Sequence, residues 1–110
     1  SYVGALWENH VLAQWIRWRD WSNTSASLWY WRDQPGNEVD LLIELDQKLI
    51  AIECKITEKP VLNDTRGIEK LTEFYGPSMI RSAYIACTTE QAFKISQQVE
   101  ARNGTCVWEI

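Results

Sequence analysis

The stretch Glu38-Val39-Asp40-Leu41-Leu42-Ile43-Glu44-Leu45-Asp46-Gln47-Lys48-Leu49-Ile50-Ala51-Ile52-Glu53-Cys54-Lys55-Ile56 decides the fold. Two runs rich in Val, Ile and Leu flank a polar pair and read as strands 38–45 and 48–56 joined by a tight turn. The pair, Asp46-Gln47, is not the Asn-Gly that such turns favour. Side chains alternate along a strand, so Glu38, Asp40, Leu42 and Glu44 share one face and Val39, Leu41, Ile43 and Leu45 the other. In the second strand Leu49, Ala51, Glu53 and Lys55 stand opposite in sense to Ile50, Ile52, Cys54 and Ile56. Placing the more apolar sets together against a core turns the acidic sets the same way. Closing the turn then sets Asp40 across from Glu53 and Glu38 across from Lys55. Directly opposed Cβ atoms lie about 4.5–5.5 Å apart. Two carboxylates at that spacing either take up a proton or hold a cation between them. Hard oxygen donors suit Mg²⁺ or Mn²⁺. The alternative is a solvated sheet face, with Glu38 and Lys55 as a weak cross-strand ion pair.

Upstream, residues 4–21 read as a helix. Trp7, Val11, Trp15 and Trp18 form one apolar stripe, widened by Leu12 and Ile16. Glu8 falls inside that stripe, where a carboxylate is costly unless paired or metal-bound. If the helix packs on the hairpin's acidic face, Glu8 joins Asp40, Glu53 and Lys55; at an edge it escapes to water instead. Leu28–Arg32 is a short aromatic strand, and Pro35-Gly36 marks the turn after it. Downstream, Asp64 or Thr65 caps a helix over 66–75, which Gly76-Pro77 ends. Residues 81–87 read as a strand, 90–101 as an amphipathic helix and 105–110 as a last strand. This α-β-β-β-α-β-α-β order predicts an α/β sheet with helices on its faces.

Composition narrows the function classes. At 110 residues the chain suits one domain, and 45% hydrophobic with 24% charged residues excludes disorder and low complexity. No apolar run approaches the ~20 residues of a membrane span, so no membrane partner is expected. Eleven Lys and Arg against fifteen Asp and Glu give a net charge of −4, which excludes a broad basic surface. Nucleic acid, if bound, must be held by a local patch, a metal or another domain; Arg17, Arg19, Arg32, Lys59 and Arg66 are the available cations. Cys54, Cys87 and Cys106 form no CxxC pair and sit in apolar runs, which predicts buried reduced thiols and a cytoplasmic setting. His10 falls on the polar side of the helix and reads as a surface residue. The tryptophans of the stripe read as core, while Trp29 and Trp31 also suit base stacking. No Gly-rich phosphate loop is present, so the chain alone is not expected to bind ATP. Opening on Ser1-Tyr2-Val3, it reads as a fragment that an upstream domain could precede.

Asp40, the Glu53-Cys54-Lys55 triplet and the helical Glu8 together resemble the PD-(D/E)XK nuclease superfamily. More closely, the run from Gly4 to Tyr75 resembles a domain of unknown function that commonly forms the C-terminal part of prokaryotic AAA-type ATPases. Trp29-Tyr30-Trp31-Arg32 and Asp64-Thr65-Arg66-Gly67 fit that pattern. The resemblance implies a restriction-endonuclease-like αβββαβ core with a mixed central sheet flanked by helices, here followed by the extra helix and strand. It implies a Mg²⁺ or Mn²⁺ site made by Asp40, Glu53, the carbonyl of Cys54 and Glu8. Lys55 would be catalytic beside Glu8, Asp40 and Glu53, and phosphodiester hydrolysis of DNA the activity. The implied partners are an upstream AAA-type ATPase domain, nucleic acid and further copies of the chain. The competing expectation is a catalytically silent nuclease fold, used for docking, regulation or oligomerisation of the ATPase. A third is a relic whose carboxylates are tied into salt bridges.

Overall fold

In the computed structural model, which describes residues 1–110, Asp46 and Gln47 close the hairpin with φ of 53° and 64°. Both residues therefore take the left-handed backbone that an Asn-Gly turn adopts more cheaply. The register follows the sequence expectation: Leu45 pairs with Lys48 and Leu41 with Ile52. Elements in chain order are α1 (Tyr2–Trp21), β1 (Ser27–Arg32), β2 (Glu38–Leu45), β3 (Lys48–Cys54), α2 (Arg66–Tyr75), β4 (Ile80–Cys87), β5 (Phe93–Lys94) and β6 (Val99–Asn103). The strands form one mixed sheet in the order β1-β2-β3-β4-β6-β5. β1 to β3 form an antiparallel meander, β4 and β6 add in parallel, and β5 closes antiparallel to β6. No helix is long and apolar enough to cross a membrane.

Both faces of the sheet are covered. Val11 and Trp15 of α1 pack on Leu41, Ile43, Ile50 and Ile52, while Ile68 and Leu71 of α2 pack with Leu42, Ala51 and Ile85. Burial on both sides explains why β2 and β3 read as nearly continuous apolar runs. The first helix begins two residues earlier than expected, because the Ser1 hydroxyl accepts from the Gly4 N–H and caps it. β3 ends at Cys54, short of the expected Ile56.

The C-terminal part differs from expectation. Residues 90–101 are not a helix: β5 and β6 occupy them. Val99 and Ala101 are buried, and Glu100 between them is not, a period of two. β4 is buried and needs a ladder partner on its free side, which β6 supplies from Ala83–Val99 to Cys87–Asn103. Tertiary pairing overrides the helical periodicity. Residues 105–110 are not a strand either. They form an irregular strap whose Val107, Trp108 and Ile110 pack on the α1-side core. Trp108 meets Trp15 and Tyr84 edge-on, with centroids 5.0 and 5.1 Å away. Cys87 is buried as expected, Cys54 is only half-buried and Cys106 is exposed; all three are free thiols.

α2 is seated against the end of β2 by Gly67. A Cβ there would lie 2.1 Å from the Glu38 carbonyl oxygen, a backbone atom that cannot swing away. Gly67→Ala is therefore expected to cost about 1–3 kcal/mol by forcing the helix off the strand. A urea melt checks this, the expected outcome being a lower midpoint; an unchanged midpoint would show that the helix is not held so closely.

Candidate functional site

Pairing of β1 with β2 changes register in the middle. Trp29 pairs with Leu42 and Trp31 with Val39, so three steps along β2 match two along β1. The extra residue is a bulge at Asp40-Leu41. Its effect is visible in the cores: Val39 and Leu42, three apart, lie in the same α2-side cluster, while Leu41 packs on the α1 side. Helix α1 covers the apolar face carrying Leu41, Ile43, Ile50 and Ile52, not the acidic face expected from strict alternation. Glu8 nevertheless meets Asp40, because the bulge turns that carboxylate toward α1.

The surrounding geometry is built from main-chain bonds. The Asp40 N–H donates to Oε1 of Glu53 at 3.2 Å, and the Cys54 N–H donates to Oδ2 of Asp40 at 2.8 Å. These side-chain bonds take over where the β2–β3 ladder stops at Leu41–Ile52. Trp7 anchors the adjacent turn of α1 by donating its indole N–H to the Ala86 carbonyl at 3.0 Å. Lys55 donates its N–H to that same carbonyl. On the other side of the sheet, a Cβ at Gly67 would lie 3.2 Å from Oε2 of Glu53, so the first turn of α2 walls that carboxylate. Glu8, Asp40, Glu53, Lys55 and Arg66 all line one open cleft of about 700 Å³.

Crowding of like charges sets the electrostatics. The Glu8 carboxyl is pushed up to about 7, first by its hydrogen bond with Asp40, then by burial and by the charges of Asp40 and Glu38. Glu53 rises to about 10, mainly through burial and then through Asp40. Burial and the three carboxylates also push the Cys54 thiol up, so it is an inert neutral group and no nucleophile. Such a set of oxygen donors, with Glu8 and Glu53 costly to ionise beside Asp40, fits a hard divalent cation. It is not a ready-made cage: no three His, Cys, Asp or Glu side chains stand grouped in metal-binding geometry.

The sequence profile of a domain of unknown function, DUF4143, matches residues 3–106. The chain belongs to this family. No curated protein and no solved structure matches it. All of Glu8, Asp40, Glu53 and Lys55 fall inside the matched stretch of this DUF4143 domain.

One expected contact is absent. Glu38 does not pair with Lys55, because β3 has ended before Lys55 and the two chains have parted. Instead Oε2 of Glu38 accepts from the Tyr30 hydroxyl, and Lys55 Nζ lies 3.7 Å from Oδ1 of Asp64. His10 is exposed, as read from the sequence, with Nε2 3.0 Å from the Thr105 carbonyl. Sequence reasoning did not assign Gly67 or Tyr30 to the site. A glycine in the first turn of a helix was the available signal for Gly67, since it weakens a helix unless a close approach requires it. Tyr30 carried no local signal.

In the folded DUF4143 domain Glu8 and Glu53 keep protons that ordinary carboxyls, near 4.5, have released. The native state then binds more protons than the unfolded chain, and stability falls as pH rises from 4.5, until Glu8 has titrated at about 7 and Glu53 at about 10. In EDTA, melting temperature should drop between the acid and alkaline ends of this window by at least about 4 °C, the effect of about 1 kcal/mol. Asp40→Asn should shrink the drop, because it removes the leading cause at Glu8, while the part due to burial of Glu53 remains. A flat profile for the unmutated chain would contradict the crowding.

Proposed function

We propose that this domain is a metal-dependent phosphodiester hydrolase of the PD-(D/E)XK kind acting on nucleic acid. The observation that supports it is the meeting of Glu8 from α1, Asp40 from the bulge and Glu53 from β3 in the cleft that also holds Lys55. Asp40, Glu53 and the Cys54 carbonyl would hold Mg²⁺ or Mn²⁺, with Glu8 reaching it directly or through water. When bound, such an ion polarises a phosphate oxygen and lowers the pKa of a coordinated water. Hydrolysis adds a hydroxyl to phosphorus and returns a proton to the leaving oxygen. Lys55 has its ammonium half-exposed at the cleft, where it orients the water or offsets charge building on the phosphate. Arg66 makes no ion pair and lines the same cleft, so it is free to contact a neighbouring phosphate. The resemblance to C-terminal domains of AAA-type ATPases supports an upstream ATPase as the covalent partner.

A second reading, a silent module that docks or oligomerises the ATPase, is favoured by Trp21, which closes α1 with 86% of its surface exposed. A melt in millimolar Mn²⁺ separates the two. The unmutated chain should gain about 2.7 kcal/mol of stability at a hundredfold excess over the dissociation constant. Asp40→Asn and Glu53→Gln should gain none. Lys55→Ala should keep the gain and lose cleavage of a DNA substrate by about 10²–10³-fold. No rise in the unmutated chain would reject the metal site and leave the docking reading.

A further inference from the structure

The inference below rests on the hydrolase reading and names the form of nucleic acid the cleft takes. β1 is an open edge of the sheet, paired only with β2. Its register puts Tyr30 between the pairs Trp29–Leu42 and Trp31–Val39, so Tyr30 stands across from the bulge residues Asp40 and Leu41. Trp31 packs in the α2-side core and Leu28 on the α1 side. By alternation Tyr30 lies with Leu28, on the side to which Asp40 turns. Its hydroxyl donates to Glu38, a wall of the carboxylate cleft. The ring is thus held at the rim of the site, yet 56% of the residue is exposed.

Charge argues for what meets that ring. A duplex gripped through its phosphates needs a broad basic surface. This chain carries −4, and the cleft offers Lys55, already near Asp64, and Arg66. An unpaired strand exposes base faces, and stacking on an aromatic ring does not require a basic surface. Lys55 and Arg66 are the two cations the cleft can turn toward phosphates beside a stacked base. We propose that the cleft takes an unpaired single strand, with one base stacked on Tyr30 and the adjoining phosphate facing Lys55 and Arg66.

The test is fluorescence anisotropy of a labelled oligothymidylate and of the same strand annealed to its complement. Both are titrated with the Asp40→Asn chain in EDTA, so that cleavage is suppressed. The single strand should bind more tightly than the duplex. Adding Tyr30→Ala should weaken single-strand binding about 5–100-fold, the worth of one stacked base. Tyr30→Phe, which keeps the ring and loses the hydroxyl, should bind within about 2-fold of its parent, as base stacking requires only the π-face. If Tyr30→Ala does not fold, Tyr30→Thr keeps the strand propensity and should show the same loss. Duplex binding as tight as single-strand binding, or a Tyr30→Ala or Tyr30→Thr chain that binds like its parent, overturns the proposal. So does a parent that binds neither. The Mn²⁺ melt of the unmutated chain reports separately on the metal site. A rise without strand binding overturns the strand proposal alone, and strand binding lost with the Tyr30 ring but without a rise supports the strand site while rejecting hydrolysis.

Discussion

One inserted residue in β2 governs the site. Without the bulge at Asp40-Leu41, alternation would send Asp40 to the α2 side with Leu42, and Glu8 on α1 would face only aliphatic side chains. With it, Asp40 turns to α1, Val39 turns to the α2-side core, and no apolar residue is lost from either core. The bulged backbone needs partners where the ladder is interrupted. Glu53 takes the Asp40 N–H, and Asp40 takes the Cys54 N–H. The groups that would do chemistry are thus also the groups that satisfy the backbone.

The two helices fix the approach from either side. Trp7 ties the turn that carries Glu8 to the Ala86 carbonyl, at the end of β4. Gly104 makes room for it: a Cβ there would stand 2.9 Å from the Trp7 ring and 3.0 Å from the Ala86 Cβ. The strap after β6 therefore bears on the position of a carboxylate far away in sequence. On the opposite face, Gly67 lets the first turn of α2 touch the end of β2 and close over Glu53. Rigid elements on three sides bury Glu53 and hold Glu8 against Asp40, which is why both carboxyls rise above ordinary ones.

Membership of the DUF4143 family says nothing by itself about activity. Function would lie in the site, where an acidic chain sets the exposed Tyr30 ring beside its carboxylate cleft. A chain poor in free cations has little grip on a phosphate backbone. The exposed Tyr30 ring, bonded to Glu38 at the cleft, is the contact on which the single-strand proposal rests instead.

Much of this was legible in the sequence because it depends on local periodicity. The hairpin register, the helix ending at Gly76-Pro77, the apolar stripe of α1 apart from Ile16, which is exposed, and the misplaced Glu8 within it all follow from alternation, turn chemistry and the 3.6-residue repeat. Asp40, Glu53 and Lys55 were legible as a group because β2 and β3 are neighbours joined by two residues. The face on which Asp40 lies was not legible, since a bulge is a relation between β1 and β2 and leaves no mark in either alone. Nor was β6, whose two-residue burial pattern is too short to outweigh a helical one until β4 presents an edge to pair. Local sequence determined which residues could be strands, turns and carboxylate ligands. Only the packed sheet decided which of them meet, because side-chain direction depends on register and register is settled by the partner strand.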